Sequence, residues 1–130
     1  MAVTPVKLVI DGYKEREVQM VTYEFTQQTD IEGQIAGIPR GGKIVIKVKA
    51  MNDGNPELLD WMIQRNLAKK GSIEFSETKS GNLMKKIEFD GAYCVDFDET
   101  WEEGLGHLET IVITCQNITF GSVKFENAWK

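Results

Sequence analysis

Residues 37 to 43, Gly-Ile-Pro-Arg-Gly-Gly-Lys, place Gly37, Gly42 and Lys43 at the spacing that opens a phosphate-binding loop, G-x-x-x-x-G-K-[ST]. That chemistry needs more than the spacing. A strand must lead in, a helix must follow so that its free N–H groups face the phosphates, and a Ser or Thr must bind magnesium. Here Ile44 follows Lys43, the next residues alternate like a strand, and what precedes is a loop. The match therefore carries no nucleotide chemistry. Its glycines read as the means by which a loop turns sharply into a strand.

The other reactive residues are scattered. His107, the single histidine, lies between Gly104, Gly106 and an apolar run and reads as an exposed loop residue. Cys94 and Cys115 have no C-x-x-C spacing and read as buried structural thiols. By alternation, Cys94 is expected on the face of Asp96 and Asp98, away from Tyr93, Val95 and Phe97. The acidic run DFDETWEE, residues 96–103, lacks the D-x-[DN]-x-[DN]-G order of a calcium loop and reads as a solvated strand end and turn. No constellation for an active site is expected, and no cofactor or metal.

The elements around these residues are mostly strands. VKLVI (6–10) alternates, and Asp11-Gly12 signals a two-residue hairpin. REVQMVTYEFT (16–26) changes parity between Met20 and Val21, which predicts a bulge. Residues 27–42 hold four glycines and a proline without periodicity and read as a long loop of the functional kind. KIVIKVKA (43–50) sets Ile44, Ile46 and Val48 against Lys43, Lys47 and Lys49. Further strands are expected over 71–79, 83–90, 92–99, 110–115 and 122–129, with Gly91 separating two of them and a second bulge near Gln116. One helix is expected, over about 55–70, with Asn55 as N-cap, Pro56 at the first helical position and Gly71 just beyond its end. Its predicted core stripe is Leu59, Met62, Ile63 and Leu67. The sum is one mainly β domain over 1–130: a small antiparallel β-barrel of seven to eight strands with one α-helix.

The chain has 130 residues, 42% hydrophobic and 27% charged, which fits one domain with a real core. A net charge of −5 argues against nucleic acid as a partner. No apolar run approaches the ~20 residues of a membrane helix, so membrane insertion is not expected. The start MAVTPVKLVIDG has no apolar block of the secretory kind, so cytoplasmic synthesis with reduced thiols is expected.

Read in order, KLVIDGYKEREV, PRGGKIVIKV, ELLDWM, KKGSIEFSE, GAYCVDFDETW and ETIVITCQNITFGSVKFENAW resemble the haemolysin-coregulated protein family (Hcp, also TssD) of type VI secretion systems, in its Bacteroidetes form. The Arg-Gly-Gly before a strand and the Glu-Asn-x-Trp near the C-terminus are its most telling pieces. The resemblance implies a barrel like that of phage tail tubes and six-membered rings that stack into a tube, driven outward by a contracting sheath. The implied partners are further copies of the chain, the sheath, spike and baseplate components, and effector cargo in the ring lumen. The protein would wait in the cytoplasm and leave with the shot. The subunit-interface candidates are Ile38, Pro39, Arg40, Gly41 and Gly42 at the end of the long loop, and Glu126, Asn127 and Trp129 near the C-terminus. Two alternatives stay open: a tube protein of another contractile machine or phage tail, and a monomeric barrel for a small apolar ligand.

Overall fold

The computed structural model describes residues 6–27, 29–35, 37, 40–50, 54–64, 66–77, 80, 82–104 and 106–127, with the side chains of Thr26 and Arg40 excepted. The element order is β1 (Val6–Ile10), β2 (Arg16–Thr26), β3 (Arg40–Lys49), α1 (Glu57–Ile63), β4 (Lys69–Ser76), β5 (Leu83–Glu102), β6 (Gly106–Phe120) and β7 (Val123–Glu126). Neighbouring strands pair in the order β3-β2-β1-β4-β5-β6-β7, all antiparallel, and β3 also pairs with β6. That last pairing closes six strands into a barrel, which removes open edges. It uses β6 from Leu108 to Thr114, and β7 takes the remaining Asn117–Phe120 stretch of the same edge.

The interior is filled by the alternating apolar faces. Ile44 and Ile46 of β3 lie opposite Ile113 and Ile111 of β6, all fully buried. Phe89 is buried beside them, and Phe75 and Phe97 pack against the cluster. Lys43 stands within β3, between Glu24 of β2 and Thr114 of β6, with no helix after it, so the glycine-lysine match is a strand entry.

Several expected boundaries shift. The Asp11-Gly12 turn forms, with the Tyr13 N–H donating to the Ile10 carbonyl at 2.9 Å, but the connection runs five residues before β2 begins at Arg16. The long loop is shorter than expected, because Arg40, Gly41 and Gly42 already belong to β3. The bulge in β2 falls one residue earlier than expected: Val18 faces Val48 and Met20 faces Lys47, leaving Gln19 over, so Met20 is exposed instead of sharing the buried face of Val18. Gly91 does not separate two strands. It sits inside the twenty-residue β5 at φ +59. Nor is there a register break at Gln116, since pairing continues from Asp90↔Asn117 to Ala92↔Cys115. Instead both strands change their buried parity at that rung, from Phe89 to Ala92 and from Cys115 to Ile118. The break in register falls at Val95, between Cys94 and Asp96. Cys94 already shares the buried face of Ala92, and the break leaves Asp96 exposed and returns Phe97 to the inner face, which overturns the expected pairing of Cys94 with the aspartates.

The helix is the largest correction. It spans Glu57–Ile63 rather than 55–70, with Pro56 at the N-cap position and the Asn55 side chain accepting from the Glu57 N–H at 2.9 Å. Leu58 and Trp61 are its buried residues, whereas Leu59 and Ile63 are exposed. The cause is tertiary. The Trp61 indole N–H donates to the Leu67 carbonyl at 2.8 Å, which requires the chain to leave the helix and turn back beneath it. Gln64 is extended, Asn66 takes φ 58, and Lys69 is already opposite Ala92 in the β4–β5 ladder.

Candidate assembly interface

The β2–β3 loop carries its own scaffold. Thr29 and Ile35 form an isolated antiparallel bridge. Inside it the Asp30 carboxylate accepts from the N–H groups of Glu32 and Gln34, each at 2.9 Å. The Asp30 N–H donates to the Gln34 carbonyl at 2.7 Å, and the Gly33 N–H to the Asp30 carbonyl at 3.0 Å. Asp serves here because its short carboxylate reaches backbone donors two and four residues on. The result is a small self-bonded hairpin whose apolar residues have nothing to bury them: Ile31 is 102% exposed and Ile35 70%. Burying one such side chain gains roughly 1.5–3 kcal/mol, and the bonded tip would lose little freedom in doing so.

The two motifs at the ends of the barrel seam meet each other. Asn127 continues the pairing beyond β7, its N–H donating to the Gln116 carbonyl at 2.7 Å. Its side-chain Nδ2 donates to the Cys115 carbonyl at 2.7 Å and to the Gly41 carbonyl at 3.2 Å. It therefore occupies the point where β3 leaves β6 and β7 takes over, satisfying carbonyls that neither ladder reaches. The glycines are the space for this contact. A Cβ on Gly41 would lie 2.2 Å from the Phe25 ring. One on Gly42, at φ +86, would lie 2.4 Å from Asn127 Nδ2 and 2.7 Å from the Cys115 oxygen. Phe25 in turn packs on Phe120 and Phe125, at ring separations of 5.8 and 4.8 Å.

Of the interface candidates, Gly41, Gly42 and Asn127 are thus brought together at this seam. Arg40 opens β3 beside Thr26, and Glu126 closes β7, exposed and 3.5 Å from Lys124. Ile38, Pro39 and Trp129 lie outside the described residues. Sequence reasoning missed the exposed isoleucines of the loop tip, although Asp30 with Gly33 signals a tight turn. It also missed a buried ion pair: Arg16 and Glu109 are both buried and bonded, and Arg16 Nη2 also donates to the Lys49 carbonyl at 2.8 Å, tying β2, β3 and β6. Ninety-three residues separate Arg16 from Glu109, so no local pattern links them.

Burial pushes the Cys94 thiol up to about 11 and the Cys115 thiol to about 12, so both stay protonated and weakly nucleophilic at neutral pH. His107 lies in β6 rather than a loop, exposed, its Nδ1 3.3 Å from the Glu99 carboxylate. Among the described residues no group of three or more His, Cys, Asp and Glu side chains is placed to hold a metal ion.

The family model for haemolysin-coregulated protein Hcp (TssD) matches residues 3–130. The chain belongs to the Hcp family. Hcp1 from Flavobacterium johnsoniae is 31% identical, with a TM-score of 0.87 over 95% of this chain and 99% of that one. A mutant of Hcp1 from the E. coli EAEC 042 pathovar shares the fold at 14% identity and a TM-score of 0.78, covering 98% and 100% of the two chains. The secreted protein Hcp3 from Pseudomonas aeruginosa does so at 17% and 0.66, covering 98% and 99%. No curated protein sequence matches at a significant level. Hcp proteins are tube proteins of type VI secretion, structural rather than enzymatic, and secreted components of that system. Within this Hcp chain, the Arg-Gly-Gly and Glu-Asn pieces that carry the resemblance are the two sides of one seam.

Proposed function

We propose that this Hcp chain is the subunit of a type VI inner tube, that six copies close into a ring and that rings stack into a tube propelled by sheath contraction. The observation that carries this reading is the β2–β3 loop tip, held in one shape by Asp30 while Ile31 stays 102% exposed. A preorganised apolar residue surrounded by polar backbone is an anchor for another protein surface. A head-to-tail contact of this kind generates a ring when its rotation closes. Arg40, Gly41 and Gly42 enter the seam at the start of β3, and Glu126 and Asn127 reach it from β7; the subunit contact takes in these residues together with their chain neighbours Ile38, Pro39 and Trp129. The protein resides in the cytoplasm until firing, and its partners are sheath, spike and baseplate components with effectors in the lumen.

A monomeric ligand-binding barrel fits less well. Ile44, Ile46, Ile111 and Ile113, all fully buried, occupy the space a ligand would need. The test is light scattering after size exclusion, with negative-stain images of the peak. The expected result is a six-fold ring whose population falls in Ile31→Asp while circular dichroism stays that of the folded barrel. A strict monomer at high concentration would overturn the reading.

A further inference from the structure

A cleft of about 880 Å³ opens where β2 begins, β3 ends and β6 begins, beside the entry to α1. It lies outside the packed interior of the barrel. Arg16 and Glu109 are the two buried residues among its described lining. Arg16 Nη2 donates to the Glu109 carboxylate and to the Lys49 carbonyl, which fixes the guanidinium at the cleft. Its Nε and Nη1 are buried without a hydrogen-bond partner. Unpaired buried donors are costly, and folded proteins seldom keep them without a reason. They call for acceptor oxygens.

The surrounding charges decide which acceptor fits. Lys49 stands 4.0 Å from Glu17, His107 3.3 Å from Glu99, and Glu15 3.5 Å from Lys7. Each basic side chain of the described lining thus already faces a carboxylate. A phosphate or carboxylate ligand would enter among Glu15, Glu17, Glu99 and Glu109 with no spare cation in that lining to receive it. A neutral carbonyl oxygen meets the need without this repulsion. The rest of the wall is apolar: Pro56 and Leu59 are exposed and Phe97 is half-buried. A few convergent donors beside an apolar wall, in a cleft of this volume, make a small-ligand site.

We propose that this cleft binds an uncharged acyl amide, the chemistry of a peptide main chain: a carbonyl oxygen accepts from Arg16 Nε or Nη1, and an apolar side chain lies against Pro56, Leu59 and Phe97. The site is independent of the tube reading. Both orphan atoms are sealed from solvent, so water does not satisfy them, and the ligand reaches them by parting the wall as it binds. The Nη2 bonds to Glu109 and Lys49 hold the guanidinium ready for it.

The test titrates the full chain with acetyl-leucyl-alanyl-leucinamide and follows saturation transfer from protein to peptide. Transfer at millimolar peptide is expected. The same peptide with a free C-terminal carboxylate, and inorganic phosphate, should compete at least about tenfold more weakly. A diazirine analogue of the first leucine, cross-linked by light and mapped by mass spectrometry, should label residues 55–59 or Phe97. Arg16→Lys removes the orphan donors and should weaken binding by about tenfold or more. Leu59→Asp, at an exposed helix position, should do the same with circular dichroism and solution mass unchanged, and it decides the matter where Arg16→Lys does not fold. No transfer, a label elsewhere, or full binding by Leu59→Asp overturns the proposal. Equal or tighter competition by phosphate or the carboxylate peptide also overturns it, and would make the cleft an anion site. A fall in the solution mass of Leu59→Asp would overturn it by assigning the cleft to a contact between copies.

Discussion

Asn127 shows how much one side chain can hold. Its two Nδ2 contacts and its backbone N–H join the start of β3, the middle of β6 and the end of β7. Replacing it with Ala leaves the Cys115 and Gly41 carbonyls without those donors, which costs about 1–3 kcal/mol. The urea midpoint of Asn127→Ala should fall accordingly with an unchanged slope, and Asn127→Asp should fall at least as far, since a carboxylate would face two carbonyl oxygens. A midpoint equal to wild type in both variants would mean that the seam closes without this residue. The buried thiols give a prediction with a definite sign. Their folded pKa values, about 11 and about 12, stand above the ordinary thiol value of 9.0 because burial disfavours the thiolate. Between those values the folded state holds protons that the unfolded state has lost. The stability they contribute is complete below pH 9 and is lost as pH rises through 11 to 12. Denaturation midpoints measured from pH 8 upward should decline beyond pH 9, and less so in a Cys94→Ala, Cys115→Ala double variant. An equal decline in both proteins would assign the effect to other groups.

At the scale of elements, the decisive position is Gly91. β5 and β6 bend together there, and the inner face passes from one parity to the other without a break in register. A side chain at φ +59 is strained, and its Cβ would lie 3.0 Å from that of Gln116. Gly91→Ala should therefore destabilise the barrel by about 1–3 kcal/mol, whereas Gly104→Ala, also at positive φ but with nothing within 4 Å of its Cβ, should cost less. Equal losses would show that strain alone matters at Gly91. The same rung explains what could and could not be read from the sequence. Period-two alternation reports which neighbours share a face, so Ile44-x-Ile46-x-Val48 and the β2 bulge were legible from local residues. It does not report the partner strand. A parity change at Gln116 therefore looked like a bulge, Gly91 looked like a turn, and Cys94 was grouped with the aspartates because alternation runs on through the bulge at Val95. The helix failed for a related reason. Its caps and stripe were consistent over fifteen residues, but the Trp61–Leu67 hydrogen bond and the β4 ladder claim the second half. Local propensity yields to such tertiary demands. The resemblance, by contrast, rested on order and spacing along the whole chain, which these local shifts leave untouched. Of the candidate interface, the loop was legible from its glycines and lack of period. The mutual contact of Gly41, Gly42 and Asn127 was not, because 86 residues separate Gly41 from Asn127.

For the whole molecule, charge and apolar anchoring act in opposite directions on assembly, and salt separates them. Six copies of a chain at −5 bring a formal charge of −30 into one ring. That charge keeps free rings apart and soluble, but it also opposes closure, since each arriving subunit is repelled by those already placed. The contact proposed to hold the ring is apolar at its centre, through Ile31 and Ile35 of the loop tip, and burial of such surface does not weaken with added salt. Raising the salt from about 0.01 M to about 0.15 M shortens the Debye length from roughly 30 Å to roughly 8 Å. That range covers most subunit-to-subunit charge separations while leaving the apolar contact intact. The ring fraction at a fixed low protein concentration, followed by light scattering or sedimentation, should therefore rise with salt across this range. Ile31→Asp should shift the whole curve to higher protein concentration without reversing its slope, because the repulsion remains while the anchor is lost. A ring that instead falls apart as salt rises would be one held by ion pairs between subunits. Lys43 and Lys47 on β3, which have no ion pair among the described residues, would then become the first contacts to reverse in sign.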